Sequence, residues 1–201
     1  MGMTIKPGHV FTPAMAARHL IIGRKLKPHF LAHPALMEDF RDLPAGDRPA
    51  VILGDAGDGF TYAAMNEAFR LLEDGAEFIA LARNRKFAGP DGRICLDAGA
   101  FVAALEYASG REAEVVGKPA AEFFHAACAD MGLDPGETAM IGDDAEFDAS
   151  AAVACGLTGI LVHTGKWAEG AADKLAPRPS AEFTDLRQAI ETLTLGAVFR
   201  A

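Results

Sequence analysis

Short apolar runs, each ending in glycine or a polar residue, alternate with stretches of helical periodicity along most of this chain. Runs of this kind, apolar on both faces, are the mark of strands buried inside a parallel sheet. The helical stretches between them have crossover length, so the pattern predicts an α/β fold: parallel sheet with flanking helices. Residues 50–53, 77–82, 113–116, 138–141 and 158–163 read as the main strands, with shorter ones near 29–32, 93–96 and 183–184. Helices are expected over 12–22, 61–73, 100–108, 121–131, 147–155 and 186–193. Thr12 and Pro13 form an N-cap and first-turn pair, and Gly156 is a C-cap for the fifth helix. Gly54 to Gly59 and Pro90-Asp91-Gly92 read as turns.

A chain of 201 residues with half of them hydrophobic is long enough to bury a sizeable core. The net charge of −9, without a Lys/Arg cluster, excludes nucleic acid and anionic membrane as partners. Cys95, Cys128 and Cys155 are odd in number and form no Cys-x-x-Cys pair, which argues against a disulfide framework or a zinc site. No stretch approaches the roughly 20 apolar residues of a membrane span. These features predict a soluble cytoplasmic protein.

Ligands of open parallel sheets bind at the carboxyl ends of the strands. Two polar constellations fall at such positions: Gly117-Lys118-Pro119, and Gly142-Asp143-Asp144 with Asp148 shortly after. A lysine beside several carboxylates suits a joint phosphate and Mg2+ site. Magnesium takes one or two carboxylates plus phosphate and water, and an ammonium neutralises phosphate oxygens. Taken singly, the aspartates read equally well as helix caps and Lys118 as a surface lysine. Their occurrence at two successive strand ends favours a site.

The stretches Val115-Val116-Gly117-Lys118-Pro119 and Ala139 to Asp144, with Asp148, resemble the third and fourth motifs of the haloacid-dehalogenase (HAD)-like hydrolase superfamily. Asn66 to Leu72, Ala104 to Ala108 and Leu161 to Lys166 resemble its C2-capped subfamily, which includes phospholysine phosphohistidine inorganic pyrophosphate phosphatase and its close paralogue. The likeness runs from about Val10 to the C-terminus. It implies a Mg2+-dependent phosphatase acting on a small phosphorylated substrate. In that scheme Lys118 is catalytic and binds phosphate, Asp143 and Asp148 serve the metal, and Asp144 is a further metal candidate. The loop from Arg83 to Phe87, with Asn84 and Lys86, reaches substrate from the cap or is a solvated basic turn. The implied architecture is an incomplete Rossmannoid core plus a C2-type α/β cap. Residues 1–25 would form a helix joining the core, 26–107 the cap and 108–201 the C-terminal half of the core.

Family chemistry uses an aspartate nucleophile in an Asp-x-Asp motif. The sequence contains no Asp-x-Asp, so no nucleophile is assigned. Val51 to Gly59 mimics the motif, but its aspartates, Asp55 and Asp58, are three apart and read as turn residues. None of Ser109, Ser150 and Ser180 lies in Gly-x-Ser-x-Gly, and His29 and His33 bracket a strand. Thr164-Gly165-Lys166-Trp167 hints at a phosphate loop without the required glycine spacing. The expectation is a truncated, catalytically incomplete hydrolase, with a wrongly assigned gene start as one source. A sheet edge left open would be covered by dimerisation or by another polypeptide. The competing expectation is a non-catalytic binding or assembly module that uses this edge and forms a homo-oligomer.

Overall fold

In a computed structural model, which describes residues 7–89, 91 and 93–194, the chain divides into two compact units at Gly117–Lys118. Pro90 and Gly92 of the expected turn lie outside the described residues.

The first unit is built on a four-stranded parallel sheet. Its helices are α1 (Pro13–Arg24), α2 (Tyr62–Glu73) and α3 (Ala98–Ser109). Its parallel strands are β1 (Leu26–Leu31), β2 (Arg48–Leu53), β3 (Glu77–Ala80) and, beyond a hairpin, β6 (Glu114–Val115), in that spatial order. The hairpin pairs β4 (Lys86–Ala88) with β5 (Ile94–Leu96) in antiparallel register, Phe87 opposite Cys95. Sequence pattern places only β5 there. β4 forms because the partner strand satisfies its backbone groups, a non-local cause.

Thr12 and Thr61 cap α1 and α2, their side chains accepting the amides of Met15 and Ala64. This removes one orphan donor from each first turn. Val51 and Leu53 face a core with Ala68, Leu72, Val102 and Leu105 of α2 and α3. Ala50 and Ile52 face the other layer, with Ala14, Ala17 and Ile21 of α1. Strand alternation therefore gives β2 two apolar faces, and all of Ala50 to Leu53 are buried. The helix expected within residues 1–25 packs on the first sheet. β6 pairs with β3, and with it the first unit extends to Gly117 rather than ending near residue 107.

The second unit has a three-stranded parallel sheet of β7 (Ala139–Gly142), β8 (Thr158–Val162) and β9 (Ala181–Phe183), in that order. It carries α4 (Ala121–Met131), α5 (Ala151–Ala154) and α6 (Leu186–Thr194). The helix expected over 147–155 is a π-helical turn, Ala145–Ser150, that passes into α5. Ala149 N donates to Asp144 O at 3.3 Å, the five-residue spacing that defines it. Gly156, at φ +86°, ends α5 as its sequence position predicts.

Candidate functional site

Lys118 opens the second unit, and the Asp143-Asp144 pair follows directly on β7. Lys118 Nζ donates to Asp148 Oδ1 at 2.5 Å. Asp148 is buried, its side chain 7% exposed, while that of Lys118 is 38% exposed. A carboxylate at that depth needs a counter-charge and further donors. Lysine supplies the first, and the Asp144 amide donates to Asp148 Oδ2 at 3.3 Å. Both oxygens are therefore engaged, and the ammonium is tethered with part of its surface open.

The π-turn sets this geometry. Asp144 Oδ1 accepts the amides of Glu146 and Phe147, at 3.2 and 3.0 Å, which caps the turn. Extra-wide turns of this kind re-aim a side chain relative to an ordinary helix and recur at functional sites. Asp148 here lies over Gly142, where an added Cβ would strike its carboxylate. Glycine at the end of β7 is thus the condition for Asp148 to lie across the strand end.

Asp143 is held from β8. The Lys166 amide donates to Asp143 Oδ2 at 3.1 Å. Gly165, at φ +52°, brings its backbone so close that a Cβ would strike that same oxygen. Lys166 Nζ stands 3.7 Å from Asp144 Oδ2, with its side chain 61% exposed. Sequence reasoning assigned Gly165 and Lys166 no such role. The available signal is the Thr-Gly-Lys at the end of an apolar strand, which carries the subfamily resemblance and fails the phosphate-loop spacing but points to no contact with Asp143.

Of the residues singled out in the sequence, Lys118, Asp144 and Asp148 are joined by direct contacts, with Asp143 adjacent in the chain. Asn84 and Lys86 lie in the first unit. Asn84 accepts the Gly99 amide at 3.0 Å through its carbonyl, and Lys86 begins β4 and is exposed. Asp55 Oδ1 accepts the Gly57 amide at 2.9 Å, a turn role. His29 Nδ1 stands 3.9 Å from Glu67, while His33 Nδ1 accepts the Ala35 amide.

Asp143, Asp144 and Asp148 form an all-oxygen donor set, the chemistry that a hard divalent cation requires. Among the described residues, no group of three or more His, Cys, Asp or Glu side chains is arranged to hold a metal. Their chemistry, without a preformed cluster of three, is that of the one or two carboxylates magnesium takes alongside phosphate and water oxygens.

Lys118, Asp144 and Asp148 in direct contact, with Asp143 next to them in the chain, make a candidate phosphate- and cation-handling site in the second unit, and the HAD-hydrolase-like family model matches residues 115–189. The chain belongs to the HAD-like hydrolase family, in its C2-capped phosphatase branch. It is similar to the zebrafish (Danio rerio) phospholysine phosphohistidine inorganic pyrophosphate phosphatase, 39% identical over 196 residues, covering 96% of this chain and 72% of the relative. The bovine (Bos taurus) haloacid dehalogenase-like hydrolase domain-containing protein 2 is 42% identical over 175 residues, with 87% and 67% covered. Among solved structures, the glycerol phosphate phosphatase of Mycobacterium tuberculosis in complex with magnesium superposes with a TM-score of 0.81 at 27% identity. That match covers 92% of this chain and 59% of the other.

Proposed function

We propose that the second unit is the phosphate- and cation-binding half of a magnesium-dependent phosphohydrolase site for small phosphorylated substrates. One observation carries this: the Lys118 ammonium is tethered, while remaining partly open, by Asp148, buried in the π-turn that follows Asp143. Lys118 would neutralise substrate phosphate oxygens. Asp148 would orient Lys118 and support the metal site. Asp143, held by the Lys166 amide, and Asp148 would hold magnesium, with Asp144 as the further candidate. The bound cation supplies charge neutralisation at the phosphate. Asn84 and Lys86 are proposed as cap-side substrate contacts within residues 26–107. No residue of this chain is assigned as nucleophile. Three free cysteines support a reducing, cytoplasmic setting. Among the described residues, no helix is long and apolar enough to cross a membrane.

The test is binding of inorganic phosphate with magnesium by calorimetry, run beside hydrolysis of an aryl phosphate. Magnesium-dependent phosphate binding is expected in the wild type. It should weaken at least about tenfold in Lys118→Ala, the loss expected of a charge-assisted contact. Hydrolysis that disappears in Asp143→Asn would establish turnover by the chain itself. Absence of both binding and turnover would refute the assignment.

A second reading rests on β7, which pairs with β8 on one side and with no strand on the other among the described residues. An open strand edge is a template for association, which supports a homo-oligomer assembled through β7. Sedimentation velocity over a concentration series would show a dimer, and a monomer at every concentration would remove this reading.

A further inference from the structure

We infer that the loop Thr164–Trp167 after β8 is a positioning clamp for Asp143, with Trp167 and His163 as its anchor. This rests on the reading of Asp143 as a magnesium ligand. Three observations converge on the loop. The Lys166 amide donates to Asp143 Oδ2 at 3.1 Å. Gly165, at φ +52°, leaves room for that same oxygen where any side chain would strike it. The Trp167 ring stacks on His163, with centroids 4.2 Å apart and planes 18° from parallel. Trp167 also packs against the cluster of Ala145, Ala149 and Leu161. The Trp167 amide donates to the Thr164 carbonyl at 3.0 Å, closing the loop as a turn.

His163 is held in its turn by Glu182 on β9, with Nε2 3.0 Å from the carboxylate. The chain of contact runs from β9 through His163 and Trp167 to the backbone that meets Asp143. A carboxylate at a loop mouth is free to rotate. An amide donor fixes one oxygen, and the glycine lets the loop close on it, which leaves the other oxygen directed for a ligand. This is outer-shell orientation of a metal ligand, and such partners govern affinity strongly. The Thr-Gly-Lys-Trp stretch therefore works through its backbone and its aromatic anchor rather than by cradling phosphate.

The experiment uses the full chain and two readouts. Magnesium affinity is measured by calorimetry for the wild type, Asp143→Asn, Gly165→Ala, Trp167→Ala and Trp167→Phe. The Lys166 amide proton is followed by NMR without magnesium, so that one readout is independent of the cation. Asp143→Asn should abolish magnesium binding. Gly165→Ala and Trp167→Ala should weaken it about 10-fold or more, the range for lost outer-shell partners. Trp167→Phe, which keeps an aromatic face, should stay within about twofold. The Lys166 amide should lie downfield in the wild type and move upfield in Trp167→Ala. Thermal melts identify any variant that fails to fold, and the Ala and Phe pair at Trp167 still decides if Gly165→Ala is lost. Normal magnesium affinity in folded Gly165→Ala and Trp167→Ala, with Asp143→Asn inactive in binding, would overturn the clamp alone. Wild-type affinity in Asp143→Asn would overturn the ligand assignment, and the clamp with it.

Discussion

At the scale of single residues, Asp148 has the most to lose. It is a buried carboxylate whose two oxygens are committed to Lys118 and to the Asp144 amide. Removing one partner of such a pair leaves charge without compensation, which costs more than the pair contributes. Because the Lys118 side chain is 38% exposed, solvent offsets part of that loss. Lys118→Met should therefore destabilise the second unit by about 1–2 kcal/mol, below the range for fully buried pairs. Urea unfolding would measure it. Gly142→Ala should act on the same carboxylate from the other side, since the new methyl occupies the space of the Asp148 side chain. We expect phosphate binding to weaken in that variant while the fold persists. Near-UV circular dichroism, run beside the calorimetry, separates the two effects. Lys118, Asp143, Asp144 and Asp148 stand out in the sequence as candidates because ligands of parallel sheets bind at strand ends, and the structure joins Lys118, Asp144 and Asp148 by direct contacts. Gly142 and Gly165 gained their roles only through close approaches made by residues distant in sequence or folded back by the turn.

At the scale of elements, helix capping and the π-turn behave differently. The caps are local: Thr61 Oγ1 accepts the Ala64 amide at 3.2 Å, three residues away. Thr61→Ala should cost about 1 kcal/mol and lower the melting temperature of the first unit by a few degrees. The π-turn depends on more than local preference. Asp144 caps its start, and β8 packs beneath it, with Gly159 lying where a Cβ would strike the Ala149 carbonyl. Helical periodicity alone therefore predicted an ordinary helix over 147–155, and the wider turn followed from packing. The β4 strand escaped sequence reading for a related reason. Lys86–Ala88 carries little strand signal, and its hydrogen-bond partners come from β5.

For the whole molecule, the separation of cores has a measurable consequence. The buried clusters of the first unit draw only on residues before Lys118, and those of the second only on residues after it. Cores that share no residues can unfold in separate steps, and a two-state description then fails. Calorimetry should resolve two transitions. Leu72 is fully buried in the first unit. Leu72→Ala should cost about 2–5 kcal/mol by creating a cavity. It should lower one transition and leave the other in place. Movement of both transitions together would show that the units unfold as one.

The sequence by itself determined the α/β class, the order of nearly all elements and the N-cap at Thr12, and it singled out Lys118, Asp143, Asp144 and Asp148 as site candidates. These follow from interactions spanning a few residues: apolar periodicity, side-chain caps, and glycine or polar groups where a strand stops. Only the tertiary structure decided that α1 packs on the first sheet, that β6 extends that unit to Gly117, and that residues 145–150 open into a π-turn. It also decided that the backbone of Gly165 and Lys166 closes on Asp143. Each of these depends on which surfaces meet across long stretches of chain, and local preference carries no record of that.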